Sequence, residues 1–191
     1  MEGKITKEEF DSIKQIFHNL NFAFADYEYL STYGLNIIKA AFIDQNQTFF
    51  RRIKYYLFHF TIIELNKLFD NSEDHSIKKF INHELRTRKE DDLKQELSWL
   101  NEQIKRKPTK AILKRVNALR NKVSAHLDAD RDQIKQTKIL VSEIKVLINI
   151  ARRFVSIFNE IVEGKQYQSL ITEDVLGYKL HEQYFESIIR R

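Results

Sequence analysis

The chain of 191 residues has no cysteine, one proline, four glycines and no long apolar run. Without cysteine there is no disulfide framework, thiol nucleophile, thiolate metal site or iron-sulfur cluster. With so little glycine and proline, the turn punctuation that an all-β or α/β fold of this size needs is missing, and long helices joined by few loops are expected. No segment reaches the ~18 to 20 apolar residues that span a bilayer. The N-terminus, Met1-Glu2-Gly3-Lys4, runs into a charged helix without an apolar signal core, so the expectation is a cytoplasmic protein with no membrane contact.

What is present suits one globular domain: 42% hydrophobic and 31% charged residues. The net charge of +5 and pI near 9.2 favour a polyanionic partner only mildly, since acidic residues are mixed throughout and most lysines read as solvated helix faces.

The periodicity predicts an all-α bundle with long core helices and short connecting ones. A first helix starts near Thr6, with Glu8 and Glu9 in its first turn and Phe10, Ile13, Phe17, Leu20, Phe24 and Tyr27 on one face. Gly34 is the expected break. A second helix, from about Leu35 or Gln47 to Phe69, holds Phe49, Ile53, Leu57, Phe60, Glu64 and Leu68. Its aromatic density around Tyr55, Tyr56 and Phe58 implies contacts on more than one face, with several helices or with a second subunit.

After the polar loop Asp70 to Asp74 come helices at about Ser76 to Leu85 and Asp91 to Lys105, the latter striped by Leu93, Leu97, Leu100 and Ile104. Thr109 is expected to cap a helix whose stripe runs Ile112, Val116, Leu119 and Val123 to His126. A polar connection, Asp128 to Gln136, leads to a helix from about Thr137 to Glu163, with Leu140, Ile144, Leu147, Ala151, Phe154, Phe158 and Ile161 inward and Gly164 as its stop. A last helix near Asp174 to Ile189 uses Val175, Leu180, Phe185 and Ile188. Residues 1–191 thus read as one domain, with a core of about 6–163 and a helical extension of about 165–191.

One short segment concentrates chemistry. Arg120, Asn121, Lys122, Ser124 and His126 place five polar groups in seven residues. Arginine can hold a phosphodiester bidentately and stabilise charge on its oxygens, while histidine can move a proton to or from a 2′-hydroxyl or a leaving 5′-oxygen. On an ideal helix, however, Arg120 and His126 stand roughly 120° apart. Either the helix loosens before His126, or the site is completed by the same residues of a second chain. Lys122, four residues from His126, can share its face.

These residues resemble the Arg-x4-6-His motif of the HEPN superfamily, in which a polar residue follows the arginine and two protomers form one RNA-cleaving cleft. The resemblance is closest to the abortive-infection AbiU-like branch, in which a helix ending Leu-Phe-Asp precedes short helices, an Arg-Asn-Lys-x-x-Ala-His-x-Asp segment and a long helix. Here the parts are Leu68-Phe69-Asp70, Arg120-Asn121-Lys122, Ala125-His126, Asp128 and the helix from Thr137. The resemblance covers most of residues 50 to 163, with 1 to 49 matching as generic helix and the tail after Gly164 unassigned.

It implies a HEPN-like bundle that acts as a metal-independent endoribonuclease, a toxin or antiviral effector. The implied partners are RNA, a second copy of the chain, and an antitoxin or nucleotidyltransferase; no cofactor is implied. Arg120 and His126 would carry cleavage, Asn121 would orient the phosphate or the imidazole, and Lys122, Ser124 and Asp128 would bind phosphate or support them. The alternative is a non-catalytic HEPN-like module that binds nucleotides or partner proteins, which would not require the intact Arg120 and His126 pair.

The bare spacing also occurs at Arg52 and His59, a lower-ranked alternative because Ile53 follows the arginine and aromatics crowd the helix. Asp128, Asp130 and Asp132 imitate the start of a calcium loop. Gln133 stands where its glycine belongs and Ile139 where its bidentate glutamate belongs, so no metal site is expected there. Asp74-His75 and His83-Glu84 do not assemble a metal site on one helix. No Gly-rich phosphate loop, His-Glu-x-x-His pair or Gly-x-Ser-x-Gly elbow occurs.

Overall fold

The computed structural model describes residues 6–40, 47–70, 72, 76–89, 91–125 and 138–164, and for residues 33–40, 47–48 and 122–125 it describes the backbone alone. Among the described residues the chain is all-α: six helices and no strand. They are α1 (Lys7–Ala40), α2 (Gln47–Phe69), α3 (Ile77–Thr87), α4 (Asp92–Lys105), α5 (Lys107–Ala125) and α6 (Val141–Glu163). None of them is long and apolar enough to cross a membrane. Two compact units result, one of Met1–Leu20 with Ile62–Tyr167, the other of Asn21–Thr61 with Gln168–Arg191. The last helix expected from the sequence, Asp174 to Ile189, lies outside the described residues.

Local chemistry sets the helix ends. At α1 the Glu9 N–H donates to Thr6 Oγ1 (3.2 Å) and the Thr6 N–H donates to Glu9 Oε2 (2.8 Å), a reciprocal pair that satisfies two otherwise unbonded donors. α1 does not break at Gly34 but runs on to Ala40. A single helical glycine costs about 1 kcal/mol relative to alanine, too little to end a long helix where no proline or second breaker follows. Asp91 caps α4 by accepting the Lys94 N–H (2.8 Å) while Arg88 Nε donates to its other oxygen (2.8 Å).

Two helix starts differ from expectation. Thr109 does not cap α5; it lies buried inside the first turn, and the Arg106 carbonyl accepts the Lys110 N–H (2.9 Å). Pro108 explains the earlier start, because the first turn has no use for the N–H that proline lacks. Likewise α6 begins at Val141, not Thr137, and Leu140 is an exposed cap residue, not an inward one. The Glu143 carboxylate reaches back to the Leu140 N–H (2.9 Å) and fixes that start. Ile161, also expected inward, is half-buried.

Gly164 ends α6 in the left-handed region, φ 65°, with its N–H donating to the Glu160 carbonyl (3.0 Å). Gly164→Ala meets no steric obstacle, so its expected cost is that of the backbone conformation alone, about 1 kcal/mol. Urea denaturation of the pair checks this.

The first unit packs around α6. Its Ile144, Leu147, Ala151, Phe154, Val155 and Phe158 are fully buried, on the stripe that a 3.6-residue period dictates. Phe154 stacks on Phe158 (4.3 Å between centroids), and Phe10 of α1 and Phe80 of α3 each lie 6.2 Å from Phe158. α4 packs against α3, α5 and α6. α5 presents Thr109, Ile112, Val116 and Leu119 to this core, and an ion pair between Arg115 and Glu143 fastens it to α6. That seat leaves the Asn117 and Asn121 face of α5 exposed.

Within the second unit Tyr27 of α1 packs on Phe58 of α2 (5.4 Å), with Lys54 Nζ 5.6 Å from the Tyr27 ring. Phe22, Phe49, Tyr55, Tyr56 and Phe60 remain exposed. The second-helix aromatics therefore do not all serve the core of one chain.

Candidate functional site

The site is built on α5, whose buried stripe holds the helix against α4 and α6 and so fixes the azimuth of every residue on its other side. Arg120 follows Leu119 at the edge of the stripe and is half-buried; Asn121 is exposed. The two are joined, since Arg120 Nη1 donates to Asn121 Oδ1 (3.3 Å). The backbone is continuous α-helix from Arg120 to Ala125. No loosening occurs between them, so the 120° separation expected of a regular helix extends at least to the residue before His126.

Asp70 is the functional neighbour that the sequence left without a role. It follows the end of α2, where its N–H donates to the Asn66 carbonyl (2.8 Å). Its Oδ1 accepts the Ser72 N–H (3.0 Å) and its Oδ2 accepts from Asn66 Nδ2 (3.3 Å). The Ser72 N–H above all, then the Ser72 and Asn66 side chains and the positive field of Arg120, hold the Asp70 carboxyl below the usual carboxylate range, against a smaller opposing effect of burial. The Leu-Phe-Asp end of α2 and the Arg-Asn pair of α5, fifty residues apart in sequence, thus meet electrostatically. The signal for this was the Leu68-Phe69-Asp70 element itself, whose polar member sits where a helix end exposes it.

The sign of the Asp70 shift makes a prediction. A carboxylate whose folded pKa is depressed stabilises the fold above its unfolded value, here 3.8, and loses that contribution as pH falls below it through the folded value. Asp70→Asn should therefore lose less stability than wild type on acidification through that window. Parallel acid titrations of the two proteins by circular dichroism check it, and curves that keep a constant offset through the window would show that Asp70 is not held in this way.

The remaining site residues are placed unequally. His126 and Asp128 lie outside the described residues, as do Asp130, Asp132 and Gln133, and only the backbone is described for Lys122 and Ser124. The second Arg-His pair is split by environment: Arg52 is exposed, while His59 is buried, 4.0 Å edge-on from the Tyr55 ring and 5.6 Å from Phe58. That imidazole is packed among rings in the second unit. No group of three or more His, Asp or Glu that can hold a metal occurs among the described residues.

Asn66, Asp70 and Asn117 line one cleft of about 270 Å³ between the end of α2 and α5. Arg120 is three residues, one helical turn, beyond Asn117. The site therefore adjoins a concave surface on which a ligand can lie. What sequence reasoning missed, besides Asp70, is this cleft and the basic run Lys105-Arg106-Lys107-Pro108-Thr109-Lys110 at its edge. The run was legible as a concentration of charge but not as part of the site, because only the α4–α5 corner brings it beside α2.

No curated protein and no solved structure matches the chain. A family model described as AbiU2 matches residues 10–181, further in both directions than the residues 50 to 163 that carry the resemblance in the sequence. With nearly the whole chain matched, and the Leu-Phe-Asp and Arg-Asn elements brought together at one site, this protein belongs to the AbiU2 family of HEPN proteins.

Proposed function

We propose that the protein is a metal-independent endoribonuclease, a toxin or abortive-infection effector, whose cleft is completed by a second copy of the chain. The observation that carries this reading is the presentation of Arg120 on a rigid helix, joined to Asn121 and beside the charge-compensated Asp70, at the edge of an open cleft. A guanidinium oriented in this way offers its fork to a phosphodiester.

The RNA supplies its own nucleophile. A 2′-oxygen attacks the adjacent phosphorus, the 2′-O–P bond forms and the P–5′-O bond breaks. His126 takes the proton from the 2′-hydroxyl or delivers one to the departing 5′-oxygen, and Arg120 stabilises the charge that builds on the phosphoryl oxygens. Asn121 orients the group that Arg120 holds, with Lys122, Ser124 and Asp128 in supporting positions.

A second chain is part of the reading because α5 is regular as far as Ala125. The exposed aromatics Phe49, Tyr55, Tyr56 and Phe60 on α2 suit burial in such a dimer. An antitoxin or nucleotidyltransferase partner would restrain the activity in the cell. Purified protein incubated with RNA in EDTA tests the proposal: it should yield 2′,3′-cyclic phosphate and 5′-hydroxyl ends. Intact RNA, or 5′-phosphate ends, would reject it.

A further inference from the structure

The cleft beside Arg120 has a basic rim that the cleavage chemistry does not use. Lys78 from the first turn of α3, Lys105 at the end of α4, and Lys110 and Lys114 of α5 all line it. None of the four makes an ion pair among the described residues. Other basic residues of this unit are spent differently, Lys14 on Asp11 and Glu163, Arg115 on Glu143 and Arg153 on Glu96.

Charge is also placed against the helix dipole. α5 begins with Lys107 and reaches Lys110 within its first turn, with no acidic residue there. The N-terminal end of a helix carries partial positive charge and favours anions, so lysines at this end repel it and one another. Such an arrangement is offset by bound negative charge. The one carboxylate in the cleft, Asp70, does not supply it, because Ser72, Asn66 and the field of Arg120 already compensate it.

The floor has a different character. Phe69, Ile104, Leu113 and Val116 form it, an apolar surface on which the face of a base can rest while phosphates meet the rim. Phosphate alone would leave that floor wet.

Helix geometry links the cleft to the proposed scissile site. Lys110, Leu113, Lys114, Asn117, Arg120 and Asn121 fall within about 120° of arc on α5, and Lys110 and Arg120 are about 15 Å apart along its axis. A strand lying along this face meets lysines, then Asn117, then Arg120. We infer that the cleft is a nucleotide subsite that seats one nucleotide of a single-stranded RNA, base on the floor and flanking phosphates on Lys105, Lys110 and Lys114, so that a neighbouring phosphodiester is delivered to Arg120. The inference rests on the reading of the chain as RNA-directed, but its test needs no cleavage.

The test uses the full-length protein and a fluorescein-labelled single-stranded 2′-O-methyl RNA, which lacks the attacking hydroxyl, in EDTA over a series of salt concentrations. Lys105, Lys110 and Lys114 are exposed, as are Lys7, Lys89 and Lys138, which do not line the cleft. The Lys105→Gln, Lys110→Gln, Lys114→Gln variant should bind roughly tenfold or more weakly than the charge-matched Lys7→Gln, Lys89→Gln, Lys138→Gln control. Its salt slope should fall by about 2 to 3, one released counterion per lost phosphate contact.

Equal affinities and slopes for the two variants would overturn the subsite. Displacement of the RNA by polyglutamate of matched charge would assign the cleft to an acidic protein instead, and displacement by free AMP or UMP at equal nucleotide concentration would assign it to a free nucleotide. Both outcomes overturn the strand assignment. Failure of the two readings is distinguishable: selective loss of binding without any RNA cleavage keeps the subsite and rejects the nuclease, whereas unchanged binding with intact cleavage does the reverse.

Discussion

Arg120→Ala and His126→Ala are each expected to lower RNA cleavage by roughly 100- to 10,000-fold, the range seen for removing a general acid-base group or a donor to developing charge. Gel assays in EDTA under single-turnover conditions measure this. Arg120→Lys should recover little, because an ammonium keeps the charge but not the planar fork, whose donation to Asn121 the structure shows. His126→Ala should still bind uncleavable RNA, since it removes proton transfer and leaves the phosphate contacts. On expression in cells, toxicity should disappear with His126→Ala. A His126→Ala protein that cuts at the wild-type rate would remove the segment from the mechanism.

The second large effect concerns the core on which the site helix depends. Phe158 is fully buried and meets Phe10, Phe80 and Phe154. Phe158→Ala should cost about 3 to 5 kcal/mol, the sum of lost transfer energy and the cavity left among three other rings. For a chain of this length each kcal/mol lowers Tm by roughly 2 to 4 °C, so melting should fall by about 10 °C or more. Phe158→Leu, which keeps most of the volume, should cost far less. Calorimetry of the three proteins measures the series; a Phe158→Ala protein that melts with wild type would mean that the aromatic cluster is not the keystone of this unit.

Some of the site was readable from the chain and some was not, for reasons tied to particular residues. Arg120 and Asn121 stood out because their chemistry is compressed into one segment, and their pairing needs only the adjacent turn of one helix. Asp70 could not be assigned, since its carboxylate gains meaning from Ser72, Asn66 and a guanidinium fifty residues later. The false break at Gly34 and the false cap at Thr109 share a cause. Each rested on a single residue's preference of about 1 kcal/mol, which the continuity of a long helix or a proline beside it overrides.

The sequence by itself determined the helical class and the buried stripes of α1, α4, α5 and α6, because scarce glycine and proline and a 3.6-residue apolar period act locally and admit few alternatives. It also carried the family, through the Leu68-Phe69-Asp70 and Arg120-Asn121 elements. Only the tertiary structure decided which polar groups face one another. Packing α5 against α4 and α6 sets the azimuth at which Arg120 emerges, and the α4–α5 corner sets its lysines around an apolar floor beside Asp70. Those are consequences of long-range burial, which no local periodicity encodes.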